Sequence, residues 1–294
     1  MQHSKKRSNM IINGKEIAES ILLSLKEKIS QIEGRKPGIA FILIGDHPAS
    51  QTYVKMKKKA CEKTGIYSHI ERLSDNISEE ELISIIKNFN QDPKIDGILV
   101  QQPLPEHINT DRINECISPN KDVDGFHPTN VGRLLLGYKH PLIACTPKGI
   151  FELIKRSHID LAGKHVLIIG RSNIVGKPLA ALLMQKYPGA NATVTIAHSR
   201  TNNLQELSLS ADVIITALGK PRFLTATMVK KGAVVVDVGI NRIEKDGKTV
   251  LVGDADFENL KDICSHITPV PKGVGPMTIA MLMQNGYECF LKNS

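Results

Sequence analysis

The stretch HVLIIGRSNIVGKP (residues 165–178) runs from an apolar strand pattern through a glycine-marked turn into a predicted helix. Parallel α/β sheets bind nucleotide pyrophosphates at such a turn, because the helix amino terminus presents free backbone N–H groups. The turn is neither the usual G-x-G-x-x-G motif nor a P-loop, since five residues separate Gly170 from Gly176 and a proline follows Lys177. Gly170 permits a tight turn and Gly176 permits close approach of helix and strand. A purely structural connection is the alternative interpretation.

Side chains beside this turn indicate which cofactor would bind. Arg171 and Ser172 place a positive charge and a hydroxyl where phosphate would lie. HSRT (residues 198–201) ends the next predicted strand, a position that meets the adenosine ribose in a Rossmann arrangement. An acidic residue there would favour NAD, whereas Ser199 and Arg200 favour the 2′-phosphate of NADP. The pattern therefore predicts an NADP-binding domain.

The alternation of strands and helices extends over both halves of the chain. The first half contains predicted helices at 13–33, 50–65 and 78–90, and predicted strands at 38–45, 66–73 and 95–101. The second half contains predicted helices at 146–158, 175–186 and 276–290, and predicted strands at 165–170, 192–197, 212–219 and 233–240. Strands separated by helices of this length imply parallel sheets.

The predicted fold class is α/β, with two α/β domains and a cleft between them. The predicted N-terminal domain comprises residues 1–145 and is completed by a C-terminal helix at 276–294. The C-terminal domain, residues 146–275, is Rossmann-like and binds NADP. Thr146 is the predicted N-cap of the first helix in this second domain, with Pro147 at the next position.

Composition excludes several classes of protein. The 294 residues, 41% of them hydrophobic, suffice for two modest domains. The five cysteines form no CxxC pair and no zinc-type cluster, so we expect reduced thiols, no metal site and a cytoplasmic location. Residues 1–10 are basic and precede no apolar secretory segment, so we expect a loose extension. No apolar run approaches the ~20 residues that a membrane span needs, so we expect no membrane association.

The net charge of +8 has three possible interpretations. It could mark a nucleic-acid surface, a site for an anionic small molecule, or an ordinary solvated basic surface. Lysines are spread along the chain, aromatic residues are only 4%, and no nucleic-acid-binding motif is present. A polyanionic small molecule therefore fits better than a polymer.

The segment SQTYVKMKKKACEKTG (residues 50–65) reads as one helix ended by Gly65. The apolar stripe predicted to face inward comprises Tyr53, Met56, Ala60 and Cys61. Lys57 lies in the middle of this stripe. Burial disfavours the ammonium form, so the position predicts a lysine that exchanges protons near neutral pH, with the Tyr53 hydroxyl placed to share the proton. The alternative is a lysine whose charged end reaches water past an apolar stem.

Two further polar residues could accompany Lys57. Gln101 ends the third predicted strand, and Asp124 lies in the turn KDVDGF (residues 121–126). Because ligand-binding groups gather at the carboxyl ends of parallel strands, both could face the same cleft. The glutamine could orient the lysine, and the aspartate could accept two N–H bonds from a planar heterocycle. The alternatives are a strand-end amide and a turn-capping aspartate, and the latter is the interpretation we favour for Asp122.

Five motifs, in this order along the chain, closely resemble the bifunctional methylenetetrahydrofolate dehydrogenase/methenyltetrahydrofolate cyclohydrolase family. They are PASQTYVKMK (48–57), VQQPLP (100–105), KDVDGFHP (121–128), GRSNIVGKP (170–178) and TPVPKGVGPMT (268–278). The resemblance covers nearly the whole chain. It implies NADP-dependent oxidation of 5,10-methylenetetrahydrofolate, hydrolysis of the methenyl product to 10-formyltetrahydrofolate, and a place in one-carbon metabolism and purine biosynthesis. It also implies a homodimer.

The resemblance assigns roles by position. It implies that Lys57 is the catalytic lysine, that Tyr53 stacks on the folate, that Gln101 contacts the lysine and that Asp124 binds the pterin ring. The predicted substrate-binding residues are Ser50, Tyr53, Asp124, Gly275 and Pro276. The predicted cofactor-binding residues are Gly170, Arg171, Ser172, Ser199, Arg200 and Ile240.

Two residues depart from the family pattern, and three rival functions stay open. Lys272 stands where glycine is common, and Gln102 stands where an apolar residue is usual. The rivals are a dehydrogenase-only member of the same family, a hydroxy-acid dehydrogenase of the shikimate type, and a basic nucleic-acid-binding protein.

Overall fold

The computed structural model describes residues 10–245 and 247–293. The strands are β1 (Met10–Ile11), β2 (Gly38–Ile44), β3 (Tyr67–Leu73), β4 (Gly97–Val100), β5 (His165–Ile169), β6 (Thr193–Ala197), β7 (Val213–Thr216), β8 (Val234–Asp237), β9 (Asn241–Lys245), β10 (Lys248–Val252) and β11 (His266–Ile267). The helices are α1 (Gly14–Ser30), α2 (Pro48–Thr64), α3 (Glu79–Gln91), α4 (Thr110–Cys116), α5 (Pro128–Leu135), α6 (Cys145–Arg156), α7 (Gly176–Leu183), α8 (Leu204–Ser210), α9 (Phe257–Leu260) and α10 (Val274–Asn293).

The chain divides into two compact units. The first contains the described residues up to Ile17 together with Thr146–Met277, and the second contains Ala18–Cys145 and the described residues from Thr278 onward. The predicted domain boundaries stay a prediction, and the units differ from them at the amino terminus. Residues 10–17 belong to the first unit because β1 pairs with β11. The predicted loose extension falls mostly on residues 1–9, outside the described part, but its last residue, Met10, lies in β1.

The first unit is built on a parallel sheet. Its six strands have the order β1-β11-β8-β7-β5-β6, and the pairs within it are parallel. The central strands β7 and β8 are buried along their whole length, as expected for apolar β-branched runs covered on both faces. β9 and β10 form a separate antiparallel pair. The carboxyl ends of β5, β6, β7 and β8 lie at one edge, which is where such sheets bind ligands.

The second unit contains a smaller parallel sheet, in the order β3-β2-β4. Its central strand β2 is buried throughout, because GIAFILI carries no polar side chain. Helix α10 packs closely against this strand: a Cβ built on Gly286 would lie 2.5 Å from Ile39 Cδ1. Glycine lets the helix approach the strand closely at this crossing, and the final helix of the chain closes the core of this unit.

The main elements follow their predicted positions closely. Helix α3 begins with a reciprocal cap, since the Ser78 hydroxyl accepts from Glu81 N and the Glu81 carboxylate accepts from Ser78 N. Thr146 is not an N-cap, because α6 begins one residue earlier at Cys145. Short elements were missed, including α4, α5, α8 and the β9–β10 pair, because each is too brief to give a clear periodic pattern.

Two further findings concern the cysteine thiols and the composition of the helices. All five cysteines are thiols, and four of them are buried. Within the described ranges, no helix combines the length and the apolar composition needed to cross a bilayer.

Candidate functional site

Helix α2 partly buries Lys57, but the residues buried beside it differ from the predicted ones. The buried residues of this helix are Ser50, Val54, Ala60, Cys61 and Thr64. The prediction that Tyr53 and Met56 face inward is wrong, because each side chain is 47% exposed. Val54 is buried in place of its neighbour Tyr53. Lys57 still lies on the buried line, since it is seven residues from Ser50 and seven from Thr64, and it is partly buried.

A hydrogen bond joins Lys57 to Gln101. Lys57 Nζ donates to Gln101 Oε1 at 2.9 Å. The glutamine is held in turn, because its Nε2 donates to the Gln102 carbonyl at 2.7 Å and its backbone N–H donates to the Ile42 carbonyl at 2.8 Å. The amide can only donate through nitrogen, so this second bond directs its oxygen toward the lysine. The predicted pairing of the two residues is present in the structure.

The turn that carries Asp124 is organised by Asp122. The buried Asp122 carboxylate accepts the backbone N–H groups of Gly125, Phe126 and His127 at 2.9–3.2 Å. It also accepts the Asn130 side-chain amide at 2.9 Å. Asp122 is therefore the turn residue that the sequence indicated.

Asp124 lies close enough to Lys57 for the charges of the two side chains to interact. Burial raises the pKa of Asp124 to about 6, the positive charge of Lys57 opposes that rise, and the nearby Asp122 reinforces it. An aspartate with this pKa is mainly ionised at pH 7. It can then accept hydrogen bonds from a ligand, as predicted for a group that recognises a planar heterocycle.

Helix α10 supports this turn through a residue that sequence reasoning missed. Asn285 is fully buried and donates through Nδ2 to the carbonyls of Val123 and Ile143, at 2.8 and 2.9 Å. It thereby fixes the backbone beside Asp124. Its signal in the sequence is the pair of amides, Gln284 and Asn285, that interrupts the apolar run of the last helix, because a buried amide needs partners.

In the first unit, the glycine-marked turn leaves no room for side chains. Gly170 has φ +137°, and a Cβ there would lie 2.4 Å from the Ala217 carbonyl oxygen. A Cβ on Gly176 would lie 2.1 Å from the Gly170 carbonyl oxygen. The backbone is thus packed against itself at the start of α7, as a close-fitting pyrophosphate site requires.

Arg171 and Ser172 are exposed on this turn. The Ser172 hydroxyl accepts a hydrogen bond from Val175 N at 3.1 Å, which helps to shape the turn. A positive side chain, a hydroxyl and a helix amino terminus together suit a dinucleotide pyrophosphate, so the residues fit NADP at this end.

The loop after β6 presents the two residues predicted to select NADP. His198 shapes the loop: its backbone N–H donates to Thr201 Oγ1 at 3.0 Å, and its Nδ1 accepts Arg200 N at 3.2 Å. Ser199 and Arg200 are exposed. β6 adjoins β5 in the sheet, so this loop follows the strand next to the glycine turn. A cation and a hydroxyl there suit a 2′-phosphate.

Ile240 and Gly275 are neighbours in the first unit. The Ile240 side chain is 52% exposed, and a Cβ on Gly275 would lie 3.8 Å from its Cδ1. Pro276 follows Gly275 within α10. Ser50 and Tyr53, also predicted to bind substrate, lie in the second unit, where Ser50 is buried and Tyr53 exposed. The structure thus brings Lys57, Gln101 and Asp124 together in one unit, and Ile240 and Gly275 in the other.

The fold and these residues define a class: a two-unit α/β enzyme with a Rossmann-like dinucleotide-binding sheet and a separate lysine–glutamine–aspartate site. Comparison with known proteins places it more closely. Residues 12–124 match the model of the tetrahydrofolate dehydrogenase/cyclohydrolase catalytic domain. Residues 144–294 match the model of the tetrahydrofolate dehydrogenase/cyclohydrolase NAD(P)-binding domain. The chain belongs to this family, and the resemblance inferred from the five motifs is confirmed.

Individual relatives are similar over almost their whole length. The chain is 58% identical to the bifunctional protein FolD of Protochlamydia amoebophila, over 97% of this chain and 98% of the relative. It is 53% identical to the bifunctional protein FolD of Bacillus cytotoxicus, over 95% and 96%.

Solved structures of members of this family have the same fold as this chain. The bifunctional FolD methylenetetrahydrofolate dehydrogenase/cyclohydrolase of Campylobacter jejuni is 49% identical, with a TM-score of 0.91 over 96% of this chain and 99% of that one. The methylenetetrahydrofolate dehydrogenase-cyclohydrolase of Trypanosoma brucei, complexed with NADP and an inhibitor, is 34% identical, with a TM-score of 0.90 over 96% and 97%.

Proposed function

We propose that Lys57, Gln101 and Asp124 act together on a folate substrate while the edge of the six-stranded sheet holds NADP. The chain is a bifunctional NADP-dependent methylenetetrahydrofolate dehydrogenase and methenyltetrahydrofolate cyclohydrolase of one-carbon metabolism. The observation that carries the proposed site is the 2.9 Å hydrogen bond from Lys57 Nζ to Gln101, beside a partly buried aspartate.

Bound NADP⁺ supplies the hydride acceptor for the oxidation. The residues that would hold it are Gly170, Arg171 and Ser172 at the pyrophosphate, Ser199 and Arg200 at the 2′-phosphate, and Ile240 at the nicotinamide. The protein contributes by orienting the two reacting carbons, since fixing their separation and angle removes much of the entropic barrier.

Asp124 would orient the substrate ring. At pH 7 its carboxylate is mostly ionised, because its pKa is about 6, and it can accept two N–H bonds from the pterin. The half-exposed Tyr53 ring offers a face on which the folate can stack. Ser50, Gly275 and Pro276 complete the proposed substrate contacts.

Lys57 would move the proton in the hydrolysis. Water adds to the methenyl carbon, and one carbon–nitrogen bond of the five-membered ring then breaks to give the formyl product. Lys57 carries one proton of that water to the released nitrogen, and the second proton leaves to solvent. Gln101 keeps the Lys57 amine in position, because its amide oxygen is itself fixed by the bond to Gln102.

Two assays on the purified protein test this proposal. Formation of NADPH from methylenetetrahydrofolate and NADP⁺ reports the oxidation, and loss of methenyltetrahydrofolate absorbance reports the hydrolysis. Oxidation without hydrolysis would indicate the dehydrogenase-only alternative. Neither activity, together with salt-dependent oligonucleotide binding undiminished by NADP, would favour a nucleic-acid-binding protein and contradict the proposal.

The finer setting of the enzyme is part of the same proposal. It would be a homodimer in the cytoplasm that supplies one-carbon units to purine biosynthesis, with no nucleic-acid or membrane partner. The family resemblance supports this, and the thiol state of all five cysteines suits a reducing compartment. Sedimentation equilibrium over a range of concentrations tests the dimer, and a mass equal to one chain at every concentration would refute it.

A further inference from the structure

A buried carboxylate binds the loop that follows β7. Asp254 is fully buried and lies shortly after β10. Its Oδ2 accepts the backbone N–H groups of Leu218 and Gly219 at 2.6 and 3.0 Å, and its Oδ1 accepts Lys220 N at 2.9 Å. Three consecutive N–H groups thus converge on one side chain. The same Oδ1 also accepts Asn241 Nδ2 at 2.9 Å, which ties the beginning of β9 to this carboxylate.

A second buried carboxylate holds the first in place. Asp237 ends β8, is 2% exposed, and accepts the backbone N–H groups of Gly239, Asp254 and Ala255 at 2.8–3.0 Å. The Thr216 hydroxyl also donates to it, at 3.2 Å. Burial raises the pKa of Asp237 to about 6, and the three backbone hydrogen bonds oppose the rise.

The backbone packs so closely against the two carboxylates that two glycines have no room for a side chain. A Cβ on Gly239 would lie 2.2 Å from Asp254 Oδ1, and a Cβ on Gly253 would lie 1.8 Å from Asp237 Oδ2. The glycines allow the backbone to approach the carboxylates closely. The network therefore joins three segments by hydrogen bonds: the ends of β7 and β8, and the backbone that follows β10.

The location of this network is informative. β7 and β8 are adjacent parallel strands, and the network lies where their carboxyl ends meet, at the edge where α/β sheets bind dinucleotides. Ile240, the proposed nicotinamide contact, lies between Gly239 and Asn241, and both of these residues are bonded to the network. Burying two carboxylates is costly, so an apolar pair would close a core more cheaply. Unlike apolar packing, the two carboxylates fix the direction of the backbone N–H groups that they accept.

We propose that Asp254 is a positioning residue for the nicotinamide end of NADP. Through its bonds to residues 218–220 and to Asn241, it would hold the two loops on either side of that end, and Asp237 would hold Asp254. The proposal rests on the proposed cofactor site, because it uses the assignment of Ile240. Asp254 does not itself touch substrate or cofactor in this scheme.

Asp254→Asn tests the proposal with little change of shape. Each carboxylate oxygen of Asp254 accepts two hydrogen bonds. The substitution turns one of these oxygens into an N–H donor, so the two hydrogen bonds that it accepted are lost. We expect the dissociation constant for NADP⁺, measured by titration calorimetry, to rise about tenfold. Hydrogen exchange at the amides of residues 218–220 should accelerate in the protein without cofactor. Hydrolysis of methenyltetrahydrofolate, which needs no hydride acceptor, should stay within about twofold.

Asp212→Asn is the matched control. Asp212 also accepts a backbone N–H, that of His165 at 2.9 Å, but it lies immediately before β7, at the amino edge of the same sheet. This variant should lower the melting temperature and leave the NADP⁺ dissociation constant unchanged.

Each other outcome decides the question. If Asp254→Asn melts lower but binds NADP⁺ normally, as Asp212→Asn should, Asp254 is only structural and the proposal fails. If Asp254→Asn does not fold, Asn241→Ala replaces it: faster exchange at 218–220 with weaker NADP⁺ binding supports the proposal, and unchanged binding overturns it. Absence of NADP⁺ binding by the wild-type protein would refute the proposed function instead.

Discussion

Lys57 Nζ and Gln101 Oε1 lie 2.9 Å apart and link α2 to the residue that follows β4. The bond crosses between two elements of one unit, and both of its ends are fixed: Lys57 by the buried line of α2, and Gln101 by its own bonds to Gln102 and Ile42. A lysine held in this way keeps a constant direction, which proton transfer requires.

Replacing Lys57 with methionine should abolish hydrolysis more than oxidation. The substitution keeps the unbranched shape and most of the length of the side chain and removes its proton-carrying group, so hydrolysis of methenyltetrahydrofolate should fall by at least about a hundredfold. Formation of NADPH should fall less. Lys58→Met is the control, because Lys58 is exposed on the same helix and should leave both rates unchanged. Normal hydrolysis by Lys57→Met would remove this lysine from the mechanism.

Arg200→Ala should weaken the preference for NADP. Loss of a charge-assisted hydrogen bond to the 2′-phosphate should raise the KM for NADP⁺ by roughly tenfold or more, with little effect on NAD⁺, which lacks that phosphate. Steady-state kinetics with both cofactors measure the ratio. Lys186→Ala removes an exposed charge elsewhere in the same unit and should not change it. Equal effects of Arg200→Ala on the two cofactors would contradict the assignment.

Asp124→Asn should change how stability depends on pH. The pKa of Asp124 is about 6 in the folded protein and 3.8 ordinarily, so between these values the folded state binds more protons. Stability from this group is therefore greatest below pH 4 and declines as pH rises toward 6, by at most about 1.4 kcal/mol per pH unit. Melting temperatures of the wild type and the variant, compared from pH 4 to pH 7, should show a steeper decline in the wild type, because Asp237, whose pKa is also raised to about 6, contributes equally to both proteins.

A group of the opposite kind provides the contrast for this measurement. The hydrogen bond from Lys230 holds the pKa of Asp212 below its ordinary value, so its contribution is lost as pH falls. Asp212→Asn should therefore bring the variant and the wild type closer together at low pH. The same slope in the wild type and in Asp124→Asn would show that Asp124 does not titrate in this window.

Lys272→Gly should stabilise the protein. Lys272 has φ +87°, in the left-handed region that disfavours side chains, and it is exposed. Relief of this strain, reduced by the greater freedom of glycine when unfolded, should raise the free energy of unfolding by about 0.5–1 kcal/mol. Chemical denaturation measures it. Lys272→Ala keeps the strain and should have a much smaller effect, so a similar gain in both variants would refute the backbone explanation.

The lysine site shows how far sequence reasoning reached. The helix and its end at Gly65 were predictable, because a run without proline ends at a glycine that adopts φ +82°. The face that turns inward was not, because apolar residues occur on more than one side of α2. Packing buries Val54 to 1% exposure and leaves Tyr53 at 47%. Lys57 was still identified, since it lies both on the predicted stripe and on the buried line that the structure shows.

The cofactor edge shows the same division. The glycine turn and the loop with Ser199 and Arg200 were predictable, because each lies within a few residues of a strand end. Asp254 and Asn285 were not, because their partners are distant: Asp254 bonds to backbone 34–36 residues earlier, and Asn285 bonds to the Val123 carbonyl 162 residues earlier. No local pattern specifies which buried carbonyl or N–H a polar side chain will meet.

The sequence by itself determined the alternation of strands and helices and the phosphate-facing turn. Its five motifs also indicated the family and therefore the reaction. These depend on local propensity, glycine geometry and short spacings, which act within about ten residues. Tertiary structure alone decided which face of α2 is buried, the pairing of β1 with β11, and the two-carboxylate network. Each of these depends on burial and on hydrogen bonds between distant segments, and those form only when the chain closes on itself.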